Sequence, residues 1–213
     1  MNNHTDLLNF LAAKYNLHTY LEIGVNVPNN NFDHIRCIRK DGVDPKVGAD
    51  ATHCMTSDEF FESHDRLFNR ARSYDLIFID GLHEWQQVKK DFDNSLRYLS
   101  EKGFIVLHDC NPVKEEYTHV PRDKRGVWNG DVYKFILSLF TYNNINYRTV
   151  DFDHGCTVVW KSQPNQEILE ASSHEFLDKI PNDLGSITFD DLQNNQSFLK
   201  LISPQHFQNI SIF

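Results

Sequence analysis

The sequence predicts a doubly wound, mostly parallel α/β sheet that ends in an antiparallel hairpin. Three observations carry the prediction. Two short apolar runs, Leu76–Ile79 and Phe104–Leu107, flank a segment in which Trp85, Val88, Phe92, Leu96 and Leu99 recur at three- and four-residue steps. That pattern reads as strand, amphipathic helix, strand, and apolar runs without alternation suit parallel strands buried on both faces. Further on, Tyr147–Phe152 and Cys156–Trp160 are joined by Asp153-His154-Gly155, a hairpin signal.

The other elements follow in chain order. Thr5 is placed to cap a first helix whose apolar face is Leu7, Leu8, Leu11 and Tyr15. Thr19–Val25 reads as a strand ending at Gly24, and Asn26–Asn31 consists of loop formers with Pro28 among them. A short helix over Phe32–Cys37 is expected next. Gly42–Pro45 reads as a short strand that ends in Asp44 and is stopped by proline, and Asp50–Met55 as another. Ser57 starts a helix with Asp58 and Glu59 in its first turn, its buried face being Phe60, Phe61, His64, Leu67 and Phe68. After the central unit, Val113–Asn129 has no periodicity and is long for a connection, as binding loops and lids often are. Asp131–Tyr142 is helical again. From Ser162 the composition turns polar, with helical candidates at Gln166–Ile180 and Phe189–Ile202. The expected organisation is one α/β domain over 1–161 and a helical appendage over 162–213.

Composition narrows the function classes. With 40% hydrophobic and 24% charged residues the chain is an ordinary globular protein rather than a disordered one. Its net charge of −9 disfavours nucleic acid and anionic membranes as partners, so a small molecule is the expected partner; a homo-oligomer is allowed. Cys37, Cys54, Cys110 and Cys156 show no CxxC pairing, which argues for reduced thiols in a cytoplasm instead of a zinc site or disulfide frame. The Met1–Asp6 segment has no basic stretch leading into an apolar one, and no run is long enough to cross a membrane.

Both central runs stop at ionisable clusters, Asp80-Gly81-Leu82-His83-Glu84 and His108-Asp109-Cys110-Asn111. Parallel neighbours lie about 5 Å apart, so both clusters are expected on one sheet edge, the edge where open α/β sheets bind ligands. Asp80 and Asp109 would face the same space, with His83 just beyond. Plainer readings stand beside these: Asp80 and Asp44 as strand-end or turn acids, His83 as an exposed loop histidine, and His108 as a structural strand residue. Trp128 reads equally as an anchor for the long loop or as a stacking wall for a sugar ring. Asn129 and Asp131 read as the start of the next helix.

The blocks LEIGV (Leu21–Val25), VDP (Val43–Pro45), MTSDEFF (Met55–Phe61), IDGLH (Ile79–His83), VLHDCNP (Val106–Pro112) and WNGDV (Trp128–Val132) give the chain a resemblance to class I methyltransferases that use S-adenosylmethionine (SAM). In particular it resembles small, metal-dependent O-methyltransferases of sugars and natural products. The resemblance implies a seven-stranded Rossmann-like sheet and an enzyme that methylates a small hydroxylated acceptor, with a sugar or glycan precursor as best guess. It implies cofactor contacts from Glu22, Gly24, Asp44, Thr56, Ser57, Asp58 and Asp80. It also implies a divalent metal, magnesium by preference, on Asp80 and Asp109 with His108 in the place of a second carboxylate. His83 would be the base, with Asp80 the other catalytic residue. The GxGxG pattern of many members is replaced here by Asn26 and Pro28; asparagine tolerates left-handed backbone angles. Two other readings compete, a non-catalytic cofactor-binding module on the same fold and a nicotinamide-dependent oxidoreductase. The latter lacks a GxGxxG after the first strand.

Overall fold

The computed structural model describes residues 1–68, 72–162, 169 and 171–213. The burial expected of Leu67 and Phe68, and the start of the helix expected over Gln166–Ile180, lie outside the described residues. The chain forms two compact units, one of 1–82 with 87–108 and one of 83–86 with 109–213.

The first unit is built on four parallel strands. Helix α1 (His4–Tyr15) precedes β1 (Thr19–Ile23) and β2 (Arg39–Val43); helix α2 (Ser57–Phe68) precedes β3 (Tyr74–Ile79); helix α3 (Trp85–Tyr98) leads directly into β4 (Leu99–Leu107). β1 pairs with β2 on one side and β3 on the other, and β3 pairs with β4. The chain thus adds β2 to one side of β1 and returns to add β3 on the other. Ligands bind in open α/β sheets at such a reversal, beyond the carboxyl ends of the strands. Those ends are level: Ile23 pairs with Val43 and Ile79, and Ile79 with Leu107. Hydrogen bonds continue the alignment past the strands, Gly24 N to Val43 O at 2.9 Å and Asp80 N to Ile23 O at 2.9 Å.

The apolar runs become the core for the reason the sequence suggests. Leu76, Ile77, Phe78 and Ile79 of β3 and Phe104–Leu107 of β4 are all buried, and each such side chain contributes roughly 1.5–3 kcal/mol by leaving water. Helix α3 buries Val88, Phe92 and Tyr98.

The second unit holds helix α4 (Val132–Ile136), strands β5 (Ile145–Val150) and β6 (Cys156–Lys161), helices α5 (His174–Lys179) and α6 (Phe189–Asn194), strand β7 (Leu201–Ile202) and helix α7 (Pro204–Asn209). β5 and β6 form the antiparallel hairpin. Its turn is made by Asp153, His154 and Gly155 at φ 49°, 61° and 85°, left-handed angles that Asp and Gly tolerate better than most residues. β7 pairs with β5 in parallel. The predicted class, a doubly wound, mostly parallel α/β fold with an antiparallel hairpin, is therefore the class observed, with seven strands among the described residues.

Several local expectations need correction. Asn3, not Thr5, caps α1: its side chain accepts from Asp6 N, while the Thr5 hydroxyl donates to Asn31 Oδ1. The helix expected over Phe32–Cys37 is a single 3-10 turn, Phe32–His34, and a second 3-10 turn, Pro28–Asn30, lies in the preceding stretch of loop formers. Asp50–Met55 is not a strand. Asp50 sits at φ 46°, and only an isolated bridge from His53 to Val43 survives. The helix expected over Asp131–Tyr142 stops at Ile136 and resumes as a 3-10 turn, Leu139–Thr141. The tail's last helical candidate, Phe189–Ile202, divides into α6, a 3-10 turn and β7.

Candidate functional site

In the first unit, Glu22 lies one residue before the end of β1 with 2% of its surface exposed. Its Oε2 accepts from the Tyr20 hydroxyl at 2.6 Å and from Asn31 Nδ2 at 2.8 Å. Burial pushes the Glu22 carboxyl up to about 7; the two hydrogen bonds oppose that rise and the Asp80 charge adds to it. A carboxyl raised on folding keeps a proton that the unfolded chain has lost. Its stabilising share is complete below about 4.5 and is lost as pH rises through about 7. Glu22→Gln is therefore expected to gain stability over the wild type between pH 5 and pH 8, by an amount on the order of 3 kcal/mol at most. Urea denaturation of both proteins at the two pH values measures it. A wild-type-to-variant difference independent of pH would contradict the raised carboxyl. Asp91, pushed up to about 6 by burial, titrates in the same sense in both proteins and cancels.

Gly24 follows at φ +93°. A Cβ there would lie 2.2 Å from the Asp80 carbonyl oxygen and 2.5 Å from Gly81 Cα. Glycine is thus required first by the approach of the β1 turn to the β3 turn. Asp44, buried after β2, accepts from Asn26 N at 2.7 Å and Lys46 N at 2.8 Å. A carboxylate has about four lone-pair sites, so these bonds fix its pose and leave acceptor capacity for ribose hydroxyls. Asn26 takes φ 49°, the angle that a second glycine would supply. A cavity of about 390 Å³, lined by Asn26–Asn29, Asp33, Lys46, Gly48 and Asp50, opens beside this turn. Its size is in the range of small-ligand sites.

The segment assigned to adenine is occupied by helix capping. Thr56 N and Oγ1 donate to Glu59 Oε2, and Glu59 N donates to Thr56 Oγ1, a capping box. Ser57 and Asp58 accept from Gln87 Nε2, and Lys90 bonds Asp58, holding that carboxyl below its usual range. At the β3 end, Asp80 Oδ1 lies 3.2 Å from His108 Nδ1. The His108 ring packs edge-on against His4 at 4.7 Å. As a donor set for magnesium, Asp80 offers the hard oxygen the ion prefers, while His108 offers a nitrogen turned to that same carboxylate.

In the second unit, His83 and Asp109 meet. His83 Nδ1 lies 3.1 Å from Asp109 Oδ2 and 3.2 Å from the Trp128 carbonyl oxygen. Asp109 is buried and sits at φ 60°, an uncommon angle for a side-chain-bearing residue and a frequent mark of functional positions. The turn after it is tied to the hairpin by Cys110 N to Gly155 O at 3.0 Å and Asn111 N to His154 O at 2.8 Å. Asn129 Nδ2 donates to Asp109 Oδ1. The Trp128 ring stacks on His83, centroids 4.9 Å apart and planes 12° from parallel. Of the two sequence readings of Trp128, loop anchor and sugar wall, the first fits its indole Nε1, which donates to His119 O within the loop; the ring also serves as a face for the histidine. Asn129 and Asp131 do more than start a helix. The Tyr20–Asn31 support of Glu22 was also missed; the one available signal for the Trp128–Asp131 role was a Trp-Asn-Gly-Asp motif in a loop without periodicity. Cys110 is fully buried, which fits no exposed-nucleophile role.

Glu22, Gly24, Asp44 and Asp80 thus edge the strand reversal of a parallel sheet, the place where open α/β sheets bind ligands. Residues 17–110 match the family described as "Methyltransferase domain". This part of the chain, which holds β1–β4, is similar to methyltransferase domains, in line with the resemblance carried by the sequence blocks. No curated protein matches it. Solved structures share the fold: an O-methyltransferase from Bacillus cereus in complex with S-adenosylhomocysteine (SAH), at 12% identity and TM-score 0.55 over 74% of this chain and 80% of that one; TomG, an O-methyltransferase from Streptomyces achromogenes involved in tomaymycin synthesis, in complex with SAM, at 15% and 0.54 over 74% and 79%; and the SAH-bound methyltransferase PaMTH1 from Podospora anserina, at 17% and 0.51 over 75% and 78%.

Proposed function

We propose that the protein is an O-methyltransferase that acts on a small hydroxylated acceptor, a sugar or glycan precursor by the sequence resemblance, with His83 as the general base. The observation that carries this reading is His83 Nδ1 held against Asp109. The carboxylate and the carbonyl beside Nδ1 are acceptors only, which favours the proton on Nδ1. In the neutral ring Nε2 then holds the lone pair that can take a hydroxyl proton. Glu22, Gly24 and Asp44 form the proposed cofactor half-site, with Asp44 accepting from ribose hydroxyls; Thr56–Asp58 would contact adenine chiefly through backbone, since their side chains are engaged. Bound SAM supplies an electrophilic methyl group on its sulfonium. A divalent ion, with Asp80 and Asp109 proposed as oxygen ligands, would lower the pKa of the acceptor hydroxyl.

No helix among the described residues is long and apolar enough to cross a membrane, and the four cysteines form no disulfide. Both fit the cytoplasmic placement proposed here.

The test is SAH formation from SAM with a panel of hydroxylated sugars, with magnesium and after chelation. Acceptor-dependent SAH that falls on chelation is the expected result. Acceptor-dependent turnover unaffected by chelation would remove the metal, and turnover with amine acceptors only would remove O-methylation.

A further inference from the structure

We propose that the four residues Trp128-Asn129-Gly130-Asp131 are the device that sets the tautomer and pose of His83, with Asn129 as its principal positioning residue. The inference rests on the reading of His83 as base. It concerns residues that make no helix or strand of their own: the loop's only regular turn is Glu115–Tyr117, and α4 begins after Asp131.

Each of the four holds His83 at a different point. Trp128 covers one face of the imidazole and accepts at Nδ1 through its carbonyl. The indole is itself pinned, since its Nε1 donates to His119 O at 2.7 Å. Asn129 acts through Asp109: its Nδ2 donates to Oδ1, which leaves Oδ2 turned toward His83 Nδ1. Gly130, at φ +61°, lets the loop press onto the histidine backbone, where a Cβ would lie 1.9 Å from His83 O. Asp131 N donates to that same oxygen at 3.0 Å, and Asp131 Oδ1 accepts from Trp85 N at 2.8 Å. Ring face, ring nitrogen, the partner carboxylate and the backbone on the C-terminal side of His83 are thereby held by consecutive residues.

Asn129 gives the second, independent observation. It is fully buried, and its Oδ1 has no hydrogen-bond partner among the described residues. A buried acceptor left without a hydrogen bond is a net cost to folding. Flipping the amide would not relieve it, because Oδ1 would then face the Asp109 carboxylate. The chain therefore keeps an unsatisfied oxygen in order to keep Nδ2 on Asp109. That arrangement fits a positioning role better than a stabilising one.

The test reads the imidazole directly and needs no acceptor. Protein labelled with ¹⁵N-histidine and saturated with SAH is examined at pH 8 by long-range ¹H–¹⁵N correlation, with the His83 signals assigned by their loss in His83→Gln. The expected wild-type ring is the Nδ1–H tautomer. Asn129→Ala and Trp128→Ala are each expected to move both His83 nitrogens toward the averaged values of a ring exchanging between tautomers, and Trp128→Phe to restore the wild-type pattern. Should Asn129→Ala not fold, the Trp128 pair and the wild-type tautomer still decide. A wild-type Nε2–H ring, or variants that leave the His83 signals unmoved, would overturn the inference. A His83 set and released as expected, in a protein that methylates no hydroxylated acceptor, would support the positioning device while removing the reaction proposed for it.

Discussion

Replacing His83 with alanine is expected to slow methyl transfer by about 10²–10⁴-fold, the usual contribution of a positioned general base. An aliphatic hydroxyl is a weak nucleophile near neutral pH. Without a group to take its proton as the new carbon–oxygen bond forms, the attack must proceed through a charged oxonium. His83 is suited to the task because its Nδ1 is committed to Asp109 and to the Trp128 carbonyl. SAH affinity is expected to be unchanged in the variant, since His83 is not among the proposed cofactor residues. The pairing of a lost rate with intact binding separates a catalytic from a structural effect. Steady-state kinetics on an acceptor from the sugar panel, together with SAH binding, measure both. A His83→Ala enzyme that turns over at the wild-type rate would exclude His83 as the base.

Gly24→Ala is expected to give the largest loss of stability of any single methyl addition at the strand ends. The added carbon would meet backbone on every side: Asp80 O at 2.2 Å, Asp80 C at 2.5 Å and Gly81 Cα at 2.5 Å. None of these atoms is the end of a flexible side chain. Relief requires the β1 and β3 turns to separate, breaking the Asp80 N to Ile23 O bond, and the φ of +93° adds strain of its own. A loss of about 3 kcal/mol, from overpacking and strain together, corresponds to a fall of about 10 °C in Tm for a chain of this size. SAH binding is expected to fall with it. Gly48→Ala is the control: its φ is +86°, but a Cβ there meets nothing within 4 Å, so it costs backbone strain alone. Equal melting temperatures for the two variants would show that the close approach at Gly24 does not matter.

Much of this fold was legible in the sequence where one pattern dominated its segment. The β3–α3–β4 unit could be read because Leu76–Ile79 and Phe104–Leu107 are continuous apolar runs and the helix between them keeps its period. The hairpin could be read because Asp153-His154-Gly155 is turn chemistry between two strand-forming runs. The failures have physical causes of two kinds. Phe32–Cys37 and Asp50–Met55 are short, and single residues decide them: Asn31 starts a 3-10 turn and Asp50 goes left-handed. β7 has only two residues, too few for any periodicity to show. The residues of the proposed cofactor half-site were legible as a group because they sit at strand ends, which the sequence marks. The support of the base was not. Trp128 meets His83 across 45 positions and Asn129 meets Asp109 across 20, and no local pattern encodes which distant side chain a loop residue will reach.

SAM-dependent methyl transfer has its most direct test in calorimetric titration of SAH into metal-stripped protein. The expected result is saturable binding in the micromolar range, about −8 kcal/mol, lost in Gly24→Ala and retained in His83→Ala. No detectable heat at several temperatures, from protein shown to be folded, would contradict it.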